Sequence, residues 1–356
     1  KILATGGGRS NLLNEKLDPS FYNQEARALV ASVFEQFGKN EILDFFKDLG
    51  LAVVSEEGRI FPATHQASSV LGVLENEIDR LQVPRALNSE IFHITRNGNR
   101  GFALKVRNGE TLYAAKVVLA GGGKSYPALG SDGSAYVLAK QFGHILIEPV
   151  PAVVPLTTKD PWCHLLQGQR IQASATPIVG DQTFPAVSGE VLFTKYGLSG
   201  TAILDVSEKI SIAFHRKRVT KISVCLDLVP TFGTEELAEE FARRLDRGIP
   251  PEKILTGILP EKFSHVLHRE LRRSDTKQTA EILKKKIFQI TGTRGWNEAE
   301  FTAGGILTKE VKPRTLESEL VKGLYFAGEI LDVQGQRGGY NLGWAWSSGF
   351  VAGLTA

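Results

Sequence analysis

The hydrophobic positions along the chain change period several times, and each change marks an element. Between Gln24 and Leu49 apolar residues recur at helical spacing in two pieces, with Asn40 as the expected N-cap of the second. Gly58-Arg59-Ile60-Phe61-Pro62 reads as a strand running into a turn, and Val70, Leu71, Leu74, Ile78 and Leu81 mark one face of a helix. Residues 88–115 alternate, with turn signals at Asn97-Gly98-Asn99 and Asn108-Gly109, which predicts a three-stranded antiparallel meander. Lys116-Val117-Val118-Leu119-Ala120 is apolar without alternation, as a strand buried on both faces is. It leads through Gly121-Gly122-Gly123-Lys124-Ser125-Tyr126-Pro127 to a helix over residues 134–142.

From Pro149 the texture shifts. Residues 150–230 are rich in Val, Ile, Thr and Pro in short alternating runs such as Gly189-Glu190-Val191-Leu192-Phe193, the pattern of a small β-barrel or sandwich. Residues 234–290 read as helical and charged, opening at Thr234-Glu235-Glu236. At Phe301-Thr302-Ala303-Gly304-Gly305 the chain returns to glycine-rich strand. Gly323-Leu324-Tyr325-Phe326-Ala327-Gly328-Glu329 then predicts a second buried strand, a turn carrying carboxylates, and a helix opening on Gly338-Gly339. The expected class is α/β: a dinucleotide-binding, Rossmann-like domain over 1–149 and 301–356 that contains the meander, with an inserted β-barrel and helical domain over 150–300.

Composition narrows the partners. A chain of 356 residues exceeds one ordinary domain. Its 42 basic and 39 acidic residues leave +3, a balance that points to neither a nucleic-acid nor a membrane partner. Two cysteines, Cys163 and Cys225, make no disulfide framework and fit a reducing cytoplasm. No apolar run approaches the roughly 18 residues of a membrane span, no signal peptide is visible, and the sequence contains no methionine. Glycine, at 36 residues, is in excess, and the excess lies in clusters.

Those clusters carry the candidate chemistry. A strand that feeds a helix through glycines lets backbone N–H groups close on a phosphate or an electron-rich ring edge. Two segments have this form, Gly121-Gly122-Gly123 and Gly328-Glu329 with Gly338-Gly339-Tyr340-Asn341. Gly6-Gly7-Gly8, either a flexible loop or a close backbone approach to a ligand, stands beside the fork of Arg9 and the amide of Asn11. Together they predict one nucleotide-cofactor pocket built from distant parts of the chain. No G-x-G-x-x-G opens the sequence. His265 and His268 stand at i, i+3 without a third ligand, so no metal site is expected. Cys163-His164 reads as local packing, and Arg269, Arg272 and Arg273 with Lys284-Lys285-Lys286 read as a solvated helix face.

The combination of G-G-G-R-S-N-L, A-G-G-G-K-S-Y-P-A-L-G-S-D-G and F-T-A-G-G-I…G-L-Y-F-A-G-E-I-L-D…G-G-Y-N-L-G-W-A-W-S-S-G, in this order along the chain, resembles the YhiN/BaiN-like family of FAD-binding flavoproteins. The resemblance implies FAD as cofactor, two-electron transfer through flavin, NAD(P)H as reductant and an unidentified small organic substrate. It implies cofactor contacts at Gly6, Gly7, Gly8, Arg9, Asn11, Gly121, Gly122, Gly328, Glu329, Asp332, Gly338, Gly339, Tyr340 and Asn341. Glu329 or Asp332 would accept from ribityl or ribose hydroxyls, and the helix after Gly339 would aim its N-terminus at the flavin pyrimidine edge. Thr194-Lys195-Tyr196-Gly197-Leu198-Ser199-Gly200 matches a further family motif, which makes Lys195 and Tyr196 candidate substrate contacts. Three departures stand out: Ser10 where the family has Cys, Gly121 for Thr, and Gly343 for Gln. Family members also open with a βαβ unit carrying G-x-G-x-x-G, expected ahead of Lys1. The alternatives to an oxidoreductase are a non-catalytic or redox-sensing flavoprotein and a nucleic-acid-associated one, the last opposed by the charge balance. Oligomeric state is left open.

Overall fold

The computed structural model describes residues 1–98, 101–268, 271 and 275–356. Asn99, Arg269, Arg272 and Arg273 of the sequence reading lie outside them. The chain divides into two compact units, residues 1–149 with 300–356 and residues 150–299.

Unit 1 is a set of small sheets around helices. β1 (Leu13–Asn14), β2 (Val53–Glu56) and β3 (Arg59–Pro62) form one antiparallel sheet. Helices α1 (Arg27–Phe34), α2 (Lys39–Asp48) and α3 (Ala67–Arg80) turn apolar residues inward, among them Val30, Ile42, Phe46 and Val70. The N-cap of α2 is Gly38, not Asn40, which lies inside the helix. Glu41 Oε2 accepts from Gly38 N at 2.9 Å, so the third helical residue caps backwards and the cap position needs no side chain of its own. The meander is present as β4 (Ile91–Arg96), β5 (Phe102–Val106) and β6 (Thr111–Ala114). β7 (Val117–Leu119) follows, then α4 (Ser134–Lys140) and β8 (Leu146–Ala152).

Unit 2 closes on itself. β9 (Leu156–Thr158) and α5 (Pro161–Leu165) lead into β10 (Arg170–Val179), whose alternating burial places Ile171, Ala173 and Ala175 inside. β10 pairs on one side with β12 (Val187–Thr194) and on the other with β14 (Ile222–Asp227), while β11 (Gln182–Thr183) pairs at its end. β13 (Gly197–Ser199), β9 and β15 (Lys286–Thr293) complete the ring, giving the order β10-β12-β13-β9-β15-β14 and back to β10. That is a closed six-stranded barrel, one of the two expected all-β forms. α6 (Thr201–Ser211), α7 (Thr234–Asp246), α8 (Glu261–Val266) and α9 (Thr276–Lys284) pack around it.

The helical stretch expected to residue 290 ends at Lys284, because Lys286–Thr293 is a barrel strand. Of the lysines there, Lys285 is exposed as a solvated face requires, and Lys284 and Lys286 are not. Lys284 Nζ pairs with Asp227 at 2.7 Å and Lys286 Nζ with Asp160 at 2.7 Å, both side chains mostly buried.

The chain returns to unit 1 as β16 (Phe301–Ile306), and β17 (Leu324–Phe326) pairs in parallel with β7 from Leu324↔Val117 to Phe326↔Leu119. α10 (Tyr340–Thr355) ends the chain. Its buried positions Tyr340, Gly343, Trp344, Ser347, Ser348, Val351 and Ala352 follow the 3.6-residue period, which is why this stretch is a helix with one face in the core. Among the described residues, no helix is long and apolar enough to cross a membrane.

Candidate functional site

The parallel pair β7–β17 delivers two glycine turns side by side, and Glu329 joins them. Its Oε1 accepts from Thr302 N at 2.7 Å and from Ser125 Oγ at 3.2 Å, and its Oε2 meets Lys1 Nζ at 2.9 Å. Lys1 Nζ also donates to Ser125 Oγ at 2.6 Å. Thr302 Oγ1 in turn accepts from Lys124 N at 2.8 Å and Ser125 N at 3.2 Å. Gly123 allows this closeness: a Cβ there would fall 2.4 Å from Thr302 Oγ1 and 2.9 Å from Glu329 Cδ.

The first segment is laid on the start of α10. The Asn11 amide, oriented so that both ends are satisfied, accepts from Gly339 N and donates to Leu13 O, each at 3.2 Å. Asn14 Nδ2 donates to Gly338 O at 2.8 Å, and Trp346 Nε1 to Leu12 O at 3.0 Å. Gly339 sits at φ +97, and a Cβ would stand 2.4 Å from Leu13 C, so only glycine lets the two backbones meet here.

Several expected cofactor contacts are engaged within the protein. The Arg9 guanidinium donates to Glu56 Oε2 at 2.6 Å, contacts His65 Nδ1 at 2.7 Å and lies over the Phe61 ring. Gly328 N donates to Ser348 Oγ at 2.9 Å, and the Asn341 amide is exchanged with the backbone of Gly335. Asp332 is buried, and its backbone is held by Ile306 and Asn23. Other positions face open space. Gly6, Gly7 and Gly8 are exposed with left-handed backbone, and no atom lies within 4 Å of a Cβ built at Gly7 or Gly8. No side chain caps the first turn of α10. Gly121 and Gly122 follow β7, the former exposed and the latter half-buried.

A second signal was not visible in the sequence. Among the described residues, Ser10 Oγ, Ser131 Oγ, Tyr136 Oη, Gln334 Oε1 and Ser347 Oγ are buried without a hydrogen-bond partner. Each lies on or against a glycine segment or α10. Ser10 follows Gly8, Ser131 Oγ is 3.3 Å from where a Cβ of Gly122 would stand, and Gln334 precedes Gly338. Tyr136 packs on Gly133; burial, with the Glu329 and Asp332 carboxylates nearby, pushes its phenol well above the ordinary value. Ser10 combines full burial, φ +55 and an unmatched hydroxyl. A buried polar atom without a partner costs about 1–3 kcal/mol, so this set marks where a polar ligand would supply the missing bonds. FAD would bring a polar ring edge and ribityl hydroxyls to such a set of donors and acceptors.

In unit 2, Lys195 and Tyr196 form the turn between β12 and β13, closed by Thr194 Oγ1 to Gly197 O at 2.9 Å. Lys195 is exposed, and the Arg294 guanidinium covers the Tyr196 ring at 4.5 Å. The barrel is irregular nearby. β15 bulges between Ile290 and Gly292, Ile212–Arg216 winds as a π-helical turn, and His215 Nε2 meets Thr293 Oγ1 at 2.8 Å. Cys163 is buried and its thiol is pushed up to about 12, which makes it inert packing. Among the described residues, no group of three or more His, Cys, Asp or Glu is placed to hold a metal.

Comparison with known proteins adds lineage to this geometry. A family profile described as HI0933-like protein Rossmann domain matches residues 1–355. The whole chain is 37% identical to a Clostridium scindens protein named 3-dehydro-bile acid delta(4,6)-reductase, covering 89% of that protein. It is also similar to two proteins named ribosomal RNA dihydrouridine synthase. One, from Haemophilus influenzae, is 30% identical over 100% of this chain and 89% of its own length. The other, from Escherichia coli, is 31% identical over 99% of this chain and 87% of its own length.

Proposed function

The chain belongs to the HI0933-like Rossmann-domain family, and we propose that it is an FAD-dependent oxidoreductase that saturates a carbon–carbon double bond conjugated to a carbonyl group. The oxidoreductase reading rests on membership over the full chain, joined to the unmatched buried polar atoms among the described residues along the glycine segments. The substrate class rests on chemistry common to the relatives' names. A 3-dehydro steroid carries its Δ4 and Δ6 bonds in conjugation with the C3 carbonyl, and uridine becomes dihydrouridine by saturation of a bond conjugated to C4=O. For the Δ4 bond and for uridine a hydride equivalent goes to the β-carbon and a proton to the α-carbon; for the Δ6 bond the hydride goes to the δ-carbon and the proton to the γ-carbon.

When bound, FAD supplies the two-electron step, with NAD(P)H as the proposed reductant. The protein's share is holding and shielding. Gly7 and Gly8 offer open backbone to the cofactor, Gly6, Gly121 and Gly122 would flank it, and the uncapped first turn of α10 offers N–H groups and a positive dipole end. Ser10, Ser131, Tyr136, Gln334 and Ser347 supply unspent polar atoms, and Glu329 with Asp332 sets the negative side of the site. Within unit 2, Lys195 and Tyr196 are the proposed substrate contacts. A reducing cytoplasm is the proposed setting, given two free cysteines.

A small unsaturated ketone is the first substrate reading, and the names of the two RNA-modifying relatives favour uridine in RNA as the second. Anaerobic titration separates the parts. The full chain, reconstituted with FAD, should lose its yellow absorbance on NADH or NADPH and regain it on a dienone steroid or on uridine-containing RNA. Bleaching by dithionite alone removes the NAD(P)H step, and a chain that retains no FAD removes the flavin reading.

A further inference from the structure

The charge balance of the chain is not shared evenly. Residues 150–299 hold 21 Lys and Arg against 17 Asp and Glu, and the remainder hold 21 against 22. The whole-chain value of +3 is therefore an average over a basic unit and a slightly acidic one, and it hides where an anion would go.

At the C-terminal end of α7 a concavity of about 400 Å³ is lined by Arg243, Arg244, Arg247 and Lys253, with Glu240 as its one carboxylate. Glu240 is already taken. Arg244 Nε meets it at 2.7 Å and Arg243 binds its other oxygen; the two guanidiniums hold the carboxyl below its ordinary value. Arg244 Nη1 also donates to Ile254 O at 2.8 Å and Thr256 O at 2.7 Å, which fixes its fork and ties the following loop to the helix. Arg247 and Lys253 have no ion-pair partner among the described residues.

Cations at a helix C-terminus interact favourably with the dipole, and one or two there need no further reason. The full set exceeds that reason. Arg247 stands i+4 from Arg243 and i+3 from Arg244, spacings at which like charges destabilise a helix. Lys253 comes to the same concavity from a separate element, the 3-10 turn Pro251–Lys253. Unspent positive charge converging from two elements, against a wall held rigid by Arg244, is the arrangement of an anion site. We propose that this concavity binds a phosphate group, contacted by Arg247 and Lys253 with Arg243 beside them. Guanidinium forks suit two non-bridging phosphate oxygens. The phosphate belongs either to an RNA backbone or to a nucleotide such as NADPH. The RNA arm is independent of the redox reading of unit 1. The NADPH arm rests on the proposed reductant, and flavin bleaching by NADPH in the variant tells a failure of this site from a failure of that reading.

The test uses the full chain and two probes, a labelled single-stranded RNA of mixed sequence followed by anisotropy across salt concentrations, and NADPH followed by its binding curve. Arg247→Glu with Lys253→Glu should weaken one probe about ten-fold or more. With RNA the log-log salt slope should flatten by roughly 1.4, the share of two phosphate contacts on a single strand. Loss confined to RNA assigns the backbone, and loss confined to NADPH assigns the nucleotide. Lys159→Glu with Lys285→Glu makes the same charge change elsewhere in the unit and should leave both probes near wild type. An equal loss in that control overturns the site, as does unchanged binding in the reversed variant. If the reversed variant fails to fold, Arg247→Gln with Lys253→Gln decides by the same two readouts.

Discussion

The two units solve the problem of buried polarity in opposite ways. Among the described residues, every buried side-chain nitrogen or oxygen of unit 2 has a partner, while unit 1 leaves Ser10, Ser131, Tyr136, Gln334 and Ser347 with unmatched atoms. The barrel closes its own ladder from β10 round to β14, so its backbone needs nothing from outside. Unit 1 is built from sheets of two and three strands joined by left-handed glycines. An unmatched buried polar atom costs about 1–3 kcal/mol, and a buried water or a bound ligand is what meets it. The contrast therefore locates the site more sharply than either glycine counts or concavities do.

Hydrophobic packing should not distinguish the units, and this is the largest effect to measure. Phe288 in the barrel and Phe326 in β17 are both fully buried. Phe288→Ala and Phe326→Ala are each expected to cost about 3–5 kcal/mol in urea denaturation. A much smaller loss at Phe326 would move the difference between the units from polar matching to packing, and the comparison would fail.

One substitution made in both units should change sign. Ser207 in α6 is buried, accepts from Val154 N at 2.9 Å and donates to Leu204 O at 2.8 Å. Ser207→Ala strands a buried N–H and should destabilise by about 1–3 kcal/mol. Ser347 in α10 is equally buried with no partner for its Oγ, although its neighbour Ser348 bonds back to Trp344 O at 2.6 Å. Ser347→Ala should stabilise the cofactor-free chain by about 1 kcal/mol and weaken FAD retention, measured by thermal melting and by flavin release. Destabilisation by both changes would mean that Ser347 is satisfied in solution.

Much of this was legible in the sequence, and the rest was hidden for physical reasons. Local signals sufficed for the meander, for the buried strand at Leu324–Phe326 and for the helix beginning just after Gly338-Gly339. The cap of α2 was misread because Gly38 leaves no side-chain signature when Glu41 does the capping from inside. Lys286 was misread because its partner Asp160 is 126 positions away. Ser125 and Thr302 went unnoticed for the same reason: their tie to Glu329 spans 204 and 27 residues and exists only after β7, β16 and β17 are in place. Periodicity reports the backbone, and long-range polar partners must be seen.

The smallest expected effect tests whether polar mismatch in unit 1 is general or confined to the glycine segments. His144 lies in unit 1, and its side chain is fully buried between Glu310 Oε2 at 2.9 Å from Nδ1 and Ser318 Oγ at 2.8 Å from Nε2. Ser318 Oγ already accepts from Leu320 N at 3.0 Å and Val321 N at 2.9 Å, so its hydroxyl donates to Nε2, and Nδ1–H donates to Glu310. Both ring nitrogens are matched with the imidazole neutral. Burial outweighs the Glu310 contact and lowers the imidazole below its ordinary 6.5. A histidine with a depressed folded value contributes stability above its unfolded value and loses it as pH falls through the folded one. Wild type should therefore lose stability faster than His144→Gln on acidification from neutral pH, measured as the gap between their urea midpoints at successive pH values. A gap that widens toward acid would mean that the Glu310 pairing wins and the imidazole is charged, which leaves Nε2–H facing an oxygen whose own hydroxyl has nowhere to go. Unit 1 would then carry polar conflict well away from its glycines, and the unmatched atoms beside them would lose their meaning as a ligand signal.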